Sequence, residues 1–409
     1  MTSLQSSFQT GIGSGRAGAP RGARLLLRTL DAMRDGRMIV TLPDGTTTLS
    51  GQGQSVADLQ IRDWRVFDAV LASGDIGFAE SYMRGEWDTT DLVRLLTVLA
   101  SNRDALQRAI FGNAWALLAH RMRHVLNANT RAGSRRNIAA HYDLGNDFYR
   151  LWLDPSMTYS GALFEGDDTR TLEEAQRAKY RRILHALAPR PGERVLEIGC
   201  GWGGFAEVAA TEFDCRVTGV TLSAAQLDYA RRRAKRGGYA DRVSFDLCDY
   251  RDLRGSYQHI VSIEMFEAVG RRYWPTYFRR LAQLLKPGAR AVVQSITIAD
   301  GLFSRYARGT DFIQRYIFPG GMLPSVAAFR EQARHVHLRV ERSFAFGTDY
   351  ARTLRLWHER FNAHSEDIQA LGFDERFLRM WRFYLSYCEA GFSTGSTDIC
   401  QFELTSLRP

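Results

Sequence analysis

No stretch of this chain approaches the ~18 consecutive apolar residues that a membrane-spanning helix needs, so no bilayer-crossing segment is expected. Cysteines are few: Cys200, Cys215, Cys248, Cys388 and Cys400 are odd in number, scattered, and never spaced Cys-x-x-Cys. That excludes a disulfide framework and a cysteine zinc site, and fits a reducing compartment. The first apolar cluster, Leu25-Leu26-Leu27, is too short for a signal peptide, so a cytoplasmic protein is expected. Residues 1–22 offer almost nothing to bury and predict a disordered tail. Within them Gly11-Ile12-Gly13-Ser14-Gly15-Arg16 lacks both a preceding strand and a following Lys-Ser/Thr, which excludes a phosphate loop. What is present is a core-forming composition, 45% hydrophobic and 24% charged, over 409 residues, enough for two or three domains. With 54 basic against 45 acidic residues the net charge is +9, which favours an anionic partner, nucleic acid or an acidic membrane surface.

From Arg37 the pattern predicts strands. Met38-Ile39-Val40 and Thr46 to Leu49 flank the turn Pro43-Asp44-Gly45, Val66 to Leu71 follows, then the glycine-punctuated Gly74 to Phe78, and a helix over Asp91 to Leu99. This reads as a small α+β domain over residues 23–100, ahead of a linker at 101–136. Within the linker, Arg103, Arg108, Arg121, Arg123, Arg131, Arg135 and Arg136 are opposed only by Asp104, while Leu106, Ile110, Leu117, Leu118, Met122 and Val125 recur at helical spacing around Trp115. A basic amphipathic helix of this kind suits anionic lipid headgroups, and equally a linker with solvated arginines.

From Thr171 helices and strands alternate. Helices are predicted over Leu172–Leu187, Phe205–Glu212, Ala224–Arg236 and Tyr273–Leu285, and strands over Arg194–Ile198, Arg216–Val220, Val243–Leu247, His259–Ile263 and Ala291–Ile296. Such alternation gives an α/β fold with a doubly wound parallel sheet, a Rossmann-like domain over 137–409. An Arg- and aromatic-rich insertion, residues 300–323, a helical stretch over Tyr350–Ala390 and a last strand over Ile399–Leu404 complete it.

The sharpest motif runs from Val195 to Gly204, an apolar strand entering a glycine turn that opens a helix. Gly199, Gly201 and Gly203 let a ligand approach the backbone. The spacing is not Gly-x-Gly-x-x-Gly, and the acidic Glu197 sits inside the motif rather than ~20 residues beyond it. A carboxylate beside the loop suits a cationic ligand, which points to S-adenosylmethionine.

These residues, with Tyr142-Asp143-Leu144-Gly145-Asn146 after His141, Met157-Thr158-Tyr159-Ser160, Gly219 to Ser223 with Gln226, Asp249-Tyr250-Arg251-Asp252, Met265 to Gly270, Tyr316 to Gly321 and Phe346 to Tyr350, resemble the cyclopropane-fatty-acyl-phospholipid synthase family of S-adenosylmethionine-dependent methyltransferases. Gly74-Asp75-Ile76-Gly77 with Glu80 to Met83 resembles the N-terminal domain of its full-length bacterial members, a resemblance that makes the domain over residues 23–100 one of a lipid-binding type. The resemblance implies that Gly199, Gly201 and Gly203 back the methionine moiety, beside the cofactor-binding Glu197. Thr221, Leu222 and Gln226 would hold the ribose, Asp249 and Tyr250 would flank the adenine, and Tyr159 and Ser160 would close over the cofactor. His141 would order the active-site lid.

The activity it implies is methyl transfer to the carbon–carbon double bond of an unsaturated acyl chain in a membrane phospholipid. Transfer leaves a carbocation, which an aromatic, dry pocket stabilises. Candidates for that lining are Tyr159, Phe164, Phe266, Tyr273, Trp274, Phe303, Tyr306, Phe312, Tyr316 and Tyr350, with Tyr350 and Phe266 foremost. The resemblance further implies a bound bicarbonate that takes the proton, held here by Glu267, Tyr350 and the backbone of Ile296. Two positions depart: Gly161 stands where the family has Cys, and Gln294 where it has His. Those departures count against bicarbonate and open a second product, a methyl-branched olefin, beside the cyclopropane.

Other leads carry less. Gly391-Phe392-Ser393-Thr394-Gly395 matches a hydrolase elbow in letters but follows a helix. His120 with His124 and His335 with His337 lack a partnering cluster, so no metal is expected. A base methyltransferase would carry Asn/Asp-Pro-Pro-aromatic where the chain has Ile263-Glu264-Met265-Phe266-Glu267, so nucleic acid is not the expected partner. A decayed, non-catalytic lipid binder is opposed by the intact glycine loop. The partners expected are an anionic phospholipid surface, met peripherally at the inner face of the membrane, and the acyl chain; a homodimer is compatible with the sequence.

Overall fold

The computed structural model describes residues 18–110 and 144–407. The first 17 residues, most of the basic linker and His141 lie outside that set.

The N-terminal unit opens with α1 (Arg21–Leu30), which buries Ala23, Leu26 and Leu27. The anticipated hairpin forms from β1 (Gly36–Thr41) and β2 (Thr47–Gln52), with Gly45 at φ 83° in its turn. A third strand, β3 (Val56–Ile61), runs parallel to β1, and β4 (Trp87–Asp88) closes a sheet of order β2-β1-β3-β4. The expectation of a strand at Val66–Leu71 is corrected: α2 spans Arg65–Met83. Val66, Phe67, Val70 and Leu71 fall at i, i+1, i+4 and i+5, one helical face, and a short apolar run does not distinguish the two periods. The glycine-punctuated stretch lies inside this helix and breaks it, because Gly74 takes φ 60°, ψ −130°, a conformation closed to residues with a Cβ. Then α3 (Leu92–Ser101) starts on the Asp91 cap, whose side chain accepts from the Arg94 N–H, and α4 (Arg103–Ile110) follows.

After α5 (Asn146–Trp152) and α6 (Leu172–Leu187), the second unit is built on a seven-stranded sheet. Its elements are β5 (Arg194–Ile198), α7 (Gly204–Glu212), β6 (Arg216–Thr221), α8 (Ala224–Arg236), β7 (Val243–Leu247), β8 (Tyr257–Ile263), α9 (Trp274–Leu284) and β9 (Leu285–Ile298). They continue with α10 (Asp300–Tyr306), α11 (Val326–Arg334), β10 (Leu338–Ala345), α12 (Gly347–Ala363), α13 (Ser365–Ala370), α14 (Glu375–Ser393) and β11 (Thr397–Ser406). The strand order is β10-β11-β9-β8-β5-β6-β7, parallel except for β11, which runs against both its neighbours. The predicted parallel core is thus present, and α11 with β10 adds an edge that the alternation did not signal.

Because β5 pairs with β6 on one side and β8 on the other, strand order reverses there, and the ends of β5, β6 and β8 open onto a crevice. The N-terminal unit closes that crevice by packing α2 and α3 on α14. Phe78 stacks on Trp87 with ring centroids 4.1 Å apart, Phe383 of α14 meets both edge-on, and Arg379 donates to the carbonyls of Tyr82 and Trp87. Both units therefore share one hydrophobic core. Among the described residues no helix is long and apolar enough to cross a membrane.

Candidate active site

A cavity of 630 Å³ lies at the strand ends. On its cofactor side β5 delivers Glu197 and the chain turns through Gly199, Gly201 and Gly203 at φ 85°, 50° and 84°. A Cβ at Gly199 would stand 2.9 Å from the Met265 side chain, whereas one at Gly201 would meet nothing within 4 Å. Gly199 thus permits tight packing and Gly201 leaves space for a ligand. The Glu197 carboxylate is buried, one of its oxygens has no hydrogen-bond partner, and burial pushes its pKa well up against the pull of Arg233 and Lys179. An orphaned acidic oxygen lining the cleft fits the ammonium of S-adenosylmethionine, whose reactive sulfonium supplies an electrophilic methyl.

At the end of β6 the Thr221 hydroxyl donates to Gln226 Oε1 at 2.9 Å, which holds both side chains beside Leu222 on the cavity wall. Ser223 instead caps α8 by accepting from the Gln226 N–H, the ordinary role for such a residue. After β7, Asp249 and Tyr250 line the cavity, and the Asp249 carboxylate is clamped by Arg251 at 2.9 and 2.6 Å. Tyr159 bonds Tyr384 hydroxyl to hydroxyl at 2.7 Å and fixes a wall of rings that includes Trp152 and Trp357. Asn146, from the matched segment, accepts from the Trp202 indole N–H at 2.7 Å and so ties α5 to the glycine loop.

Deeper in the cavity two carboxyls lie three residues apart past the end of β8. Glu264 gathers the groups that the resemblance assigned to an anion. Its Oε1 accepts from the Gly161 N–H at 2.8 Å and from Gln294 Nε2 at 2.8 Å, and its Oε2 accepts from the Tyr350 hydroxyl at 2.7 Å. Gln294 is held in that sense because its own Oε1 accepts from Gln401 Nε2 at 2.9 Å, and Gln401 is in turn bonded by Arg182. Glu267 Oε1 accepts from the Ile296 N–H, while its Oε2 is buried without a partner. Burial, then the neighbouring Glu264, pushes the Glu267 pKa up to about 8. Burial also raises Glu264, but Lys179, Tyr350, Gly161 and Gln294 all oppose that rise and favour its anion.

Lys179, one of three lysines in the chain, is fully buried on α6 and donates to Ser160 Oγ and to Gln176 Oε1. Gln176 Nε2 donates to the Ser160 carbonyl at 2.7 Å. This platform fixes the backbone just before Gly161, and its ammonium, whose pKa burial lowers to about 7, faces the Glu264 charge.

Gly161, Gln294 and Tyr350 are therefore brought together, but around Glu264; Ile296 is brought to Glu267. Sequence reasoning passed over Glu264 as a site residue. The available signal was an acidic residue at the C-terminal end of a central parallel strand, where ligand-facing groups collect. The aromatic lining is corrected in part. Tyr159, Tyr306 and Tyr350 line the cavity, whereas Phe266 is fully buried among Trp274, Tyr277, Phe278 and Phe329, and serves the core. Phe164, Tyr273, Trp274, Phe303, Phe312 and Tyr316 also stand outside the lining, which draws instead on Tyr250, Phe318, Tyr384 and Phe392. Gly391–Gly395 lies at the end of α14, not on a strand-to-helix elbow.

Bicarbonate does not fit this site, because the donors that would grip it are spent on the protein's own carboxylate. A glycine-loop cradle with an orphaned acid, at the switch point of a sheet ordered in this way, defines a class I S-adenosylmethionine-dependent methyltransferase. Residues 129–402 match the family described as "Mycolic acid cyclopropane synthetase", and the chain belongs to this family of cyclopropane synthases and related methyltransferases. It is 40% identical over 397 residues to tuberculostearic acid methyltransferase UfaA1 of Mycobacterium tuberculosis, covering 95% of this chain and 91% of that one. It is 36% identical over 360 residues to cyclopropane-fatty-acyl-phospholipid synthase of Escherichia coli, covering 85% and 88%. Among solved structures, mycolic acid cyclopropane synthase CmaA1 complexed with SAH and CTAB superposes with a TM-score of 0.63 at 33% identity, over 66% of this chain and 98% of that one.

Proposed function

We propose that this enzyme transfers the methyl group of S-adenosylmethionine to the double bond of an unsaturated acyl chain of a membrane phospholipid, and that Glu264 removes a proton from the resulting cation to leave a methyl-branched olefin. The observation that carries this reading is the convergence of Gly161, Gln294 and Tyr350 on Glu264. An alkene is a weak nucleophile with no proton to lose beforehand, so the protein's first task is alignment in a dry cleft. The new bond forms between the methyl carbon and one alkene carbon, the sulfonium leaves as a neutral thioether, and positive charge falls on the other alkene carbon.

The faces of Tyr350, Tyr159 and Tyr384 suit that charge, and the Glu264 anion opposes it. A proton beside a carbocation is so acidic that a carboxylate held by three hydrogen bonds remains base enough to take it. Loss of that proton from a chain carbon regenerates a double bond. A base fixed to the protein, rather than a diffusible anion, sets which proton is reached. Similarity to a relative named a methyltransferase, over 95% of the chain, supports the methyl transfer itself.

A chain with net charge +9 and an arginine-rich linker suits approach to an anionic membrane surface from the cytoplasmic side. The test is mass spectrometry of phospholipid acyl chains after incubation with cofactor carrying a fully deuterated methyl. Three deuteriums retained per added carbon is the expected result. Two retained means that the methyl lost one and a cyclopropane closed, and absence of label in lipid overturns the proposal.

A further inference from the structure

The cavity does not end at the carboxyls. It continues into the N-terminal unit, where its walls are Leu30 of α1, Met38 and Leu59 of the sheet, Val70 of α2, and Leu96 and Leu99 of α3. These side chains would otherwise be the interior of a small α+β domain. Met38, Leu59 and Leu96 are buried in the core that the two units share, yet all three also border the cavity. A domain of this size gains most of its stability from close packing, so retaining a void in its core is costly unless something fills it.

The junction between this chamber and the reaction site is polar and internally paired. The break at Gly74 sets Asp75 against the insertion and α14, where its carboxyl accepts from the Phe312 N–H at 3.3 Å and the Tyr387 hydroxyl at 3.1 Å. Asp311 lies close enough to feel the Asp75 charge, and Arg103 of α4 offsets both. Beyond that collar the one hydroxyl on the wall among the described residues, Thr29, is spent on the Leu25 carbonyl of its own helix. A phosphate or ester placed there would lose its hydration without gaining partners, whereas a hydrocarbon end would not.

We infer that the interior of the N-terminal unit is the binding chamber for the methyl-terminal limb of the substrate acyl chain, so that this unit measures the length between double bond and chain end. The inference rests on the proposed acyl methylation, and α14 is the wall common to chamber and reaction site, through Phe383, Tyr384 and Tyr387. The headgroup and ester limb stay on the other side of the carboxyls.

The experiment uses the full chain and anionic phosphatidylglycerol vesicles holding equimolar mixtures of monounsaturated chains. In one series only the limb from double bond to methyl end lengthens; in the other only the limb from ester to double bond does. Val70→Trp fills the chamber, and the ratio of long to short labelled product should fall about tenfold in the first series and stay unchanged in the second, a size typical of added methylenes in an apolar pocket. Leu59→Ala enlarges the chamber and should raise that ratio in the first series, which keeps the test decisive if the tryptophan variant fails to fold. S-adenosylhomocysteine affinity should stay at the wild-type value in both. An equal response of the two series, a response confined to the ester series, or no response in either variant overturns the inference. Wild-type enzyme that labels no acyl chain at all fails the proposed function instead, and the two failures are told apart by that control.

Discussion

A Cβ on Gly161 would stand 2.9 Å from Cγ and Cδ1 of the Tyr350 ring. The glycine that departs from the family pattern is thus what allows Tyr350 to lie where its hydroxyl reaches Glu264 at 2.7 Å. Substitution here changes the base through its neighbour, while the Gly161 N–H remains in place. Gly161→Ala should therefore displace the ring and reduce turnover about 10- to 100-fold, the scale of an ångström misplacement in a preorganised site. Steady-state rates with S-adenosylhomocysteine affinity measured alongside check this, and turnover equal to wild type would show that the ring is not held.

Glu264→Gln keeps the size of the side chain and removes the base. Turnover should fall about 10²- to 10⁴-fold, the usual worth of a positioned general base. Cofactor affinity should change little, since Glu264 contacts the Gly161, Gln294 and Tyr350 groups rather than the glycine loop. Calorimetric titration with S-adenosylhomocysteine separates the two effects. A variant that still turns over at the wild-type rate would remove Glu264 from the mechanism.

Much of this was legible in the residues, for identifiable reasons. Helices such as Leu172–Leu187 and strands such as Arg194–Ile198 carry their own boundaries, a Thr171–Glu174 capping box at one start and a glycine turn at the other's end. The cofactor loop announced itself because glycines at positive φ and an acid share one short motif. Val66–Leu71 misled because six residues cannot separate a helical face from a strand. Phe266 misled because membership of a matched motif does not say which way a ring points. Glu264 was hidden for a different reason: its role depends on Gly161, Gln294 and Tyr350, residues 103, 30 and 86 positions away, which only the fold assembles.

The orphaned oxygen of Glu197 gives a prediction on the cofactor alone. If it meets the ligand ammonium, Glu197→Gln loses a charge-assisted hydrogen bond worth about 1.5–3 kcal/mol, hence roughly a 10- to 100-fold weaker Kd for S-adenosylmethionine and for S-adenosylhomocysteine, which share that group. Calorimetry of both ligands checks it. Unchanged affinity would assign Glu197 to Arg233 and Lys179, whose charges already oppose the rise of its pKa.

Glu267 supplies the pH dependence. Its folded pKa of about 8 lies above the ordinary carboxyl value of 4.5, because burial and the Glu264 charge disfavour its anion. Below pH 4.5 the carboxyl is neutral in both states and costs nothing. Between 4.5 and 8 the unfolded chain releases a proton that the folded protein keeps, so stability falls as pH rises, and the whole loss is reached once the folded group ionises. Glu267→Gln cannot ionise and can still accept from the Ile296 N–H. It should match wild type in thermal unfolding near pH 4.5 and exceed it increasingly towards pH 8, by an amount on the order of 4 kcal/mol at most. A difference in Tm that stays constant over this range would mean that Glu267 titrates in the folded protein as it does in an open chain, and that the partnerless Oε2 reaches solvent.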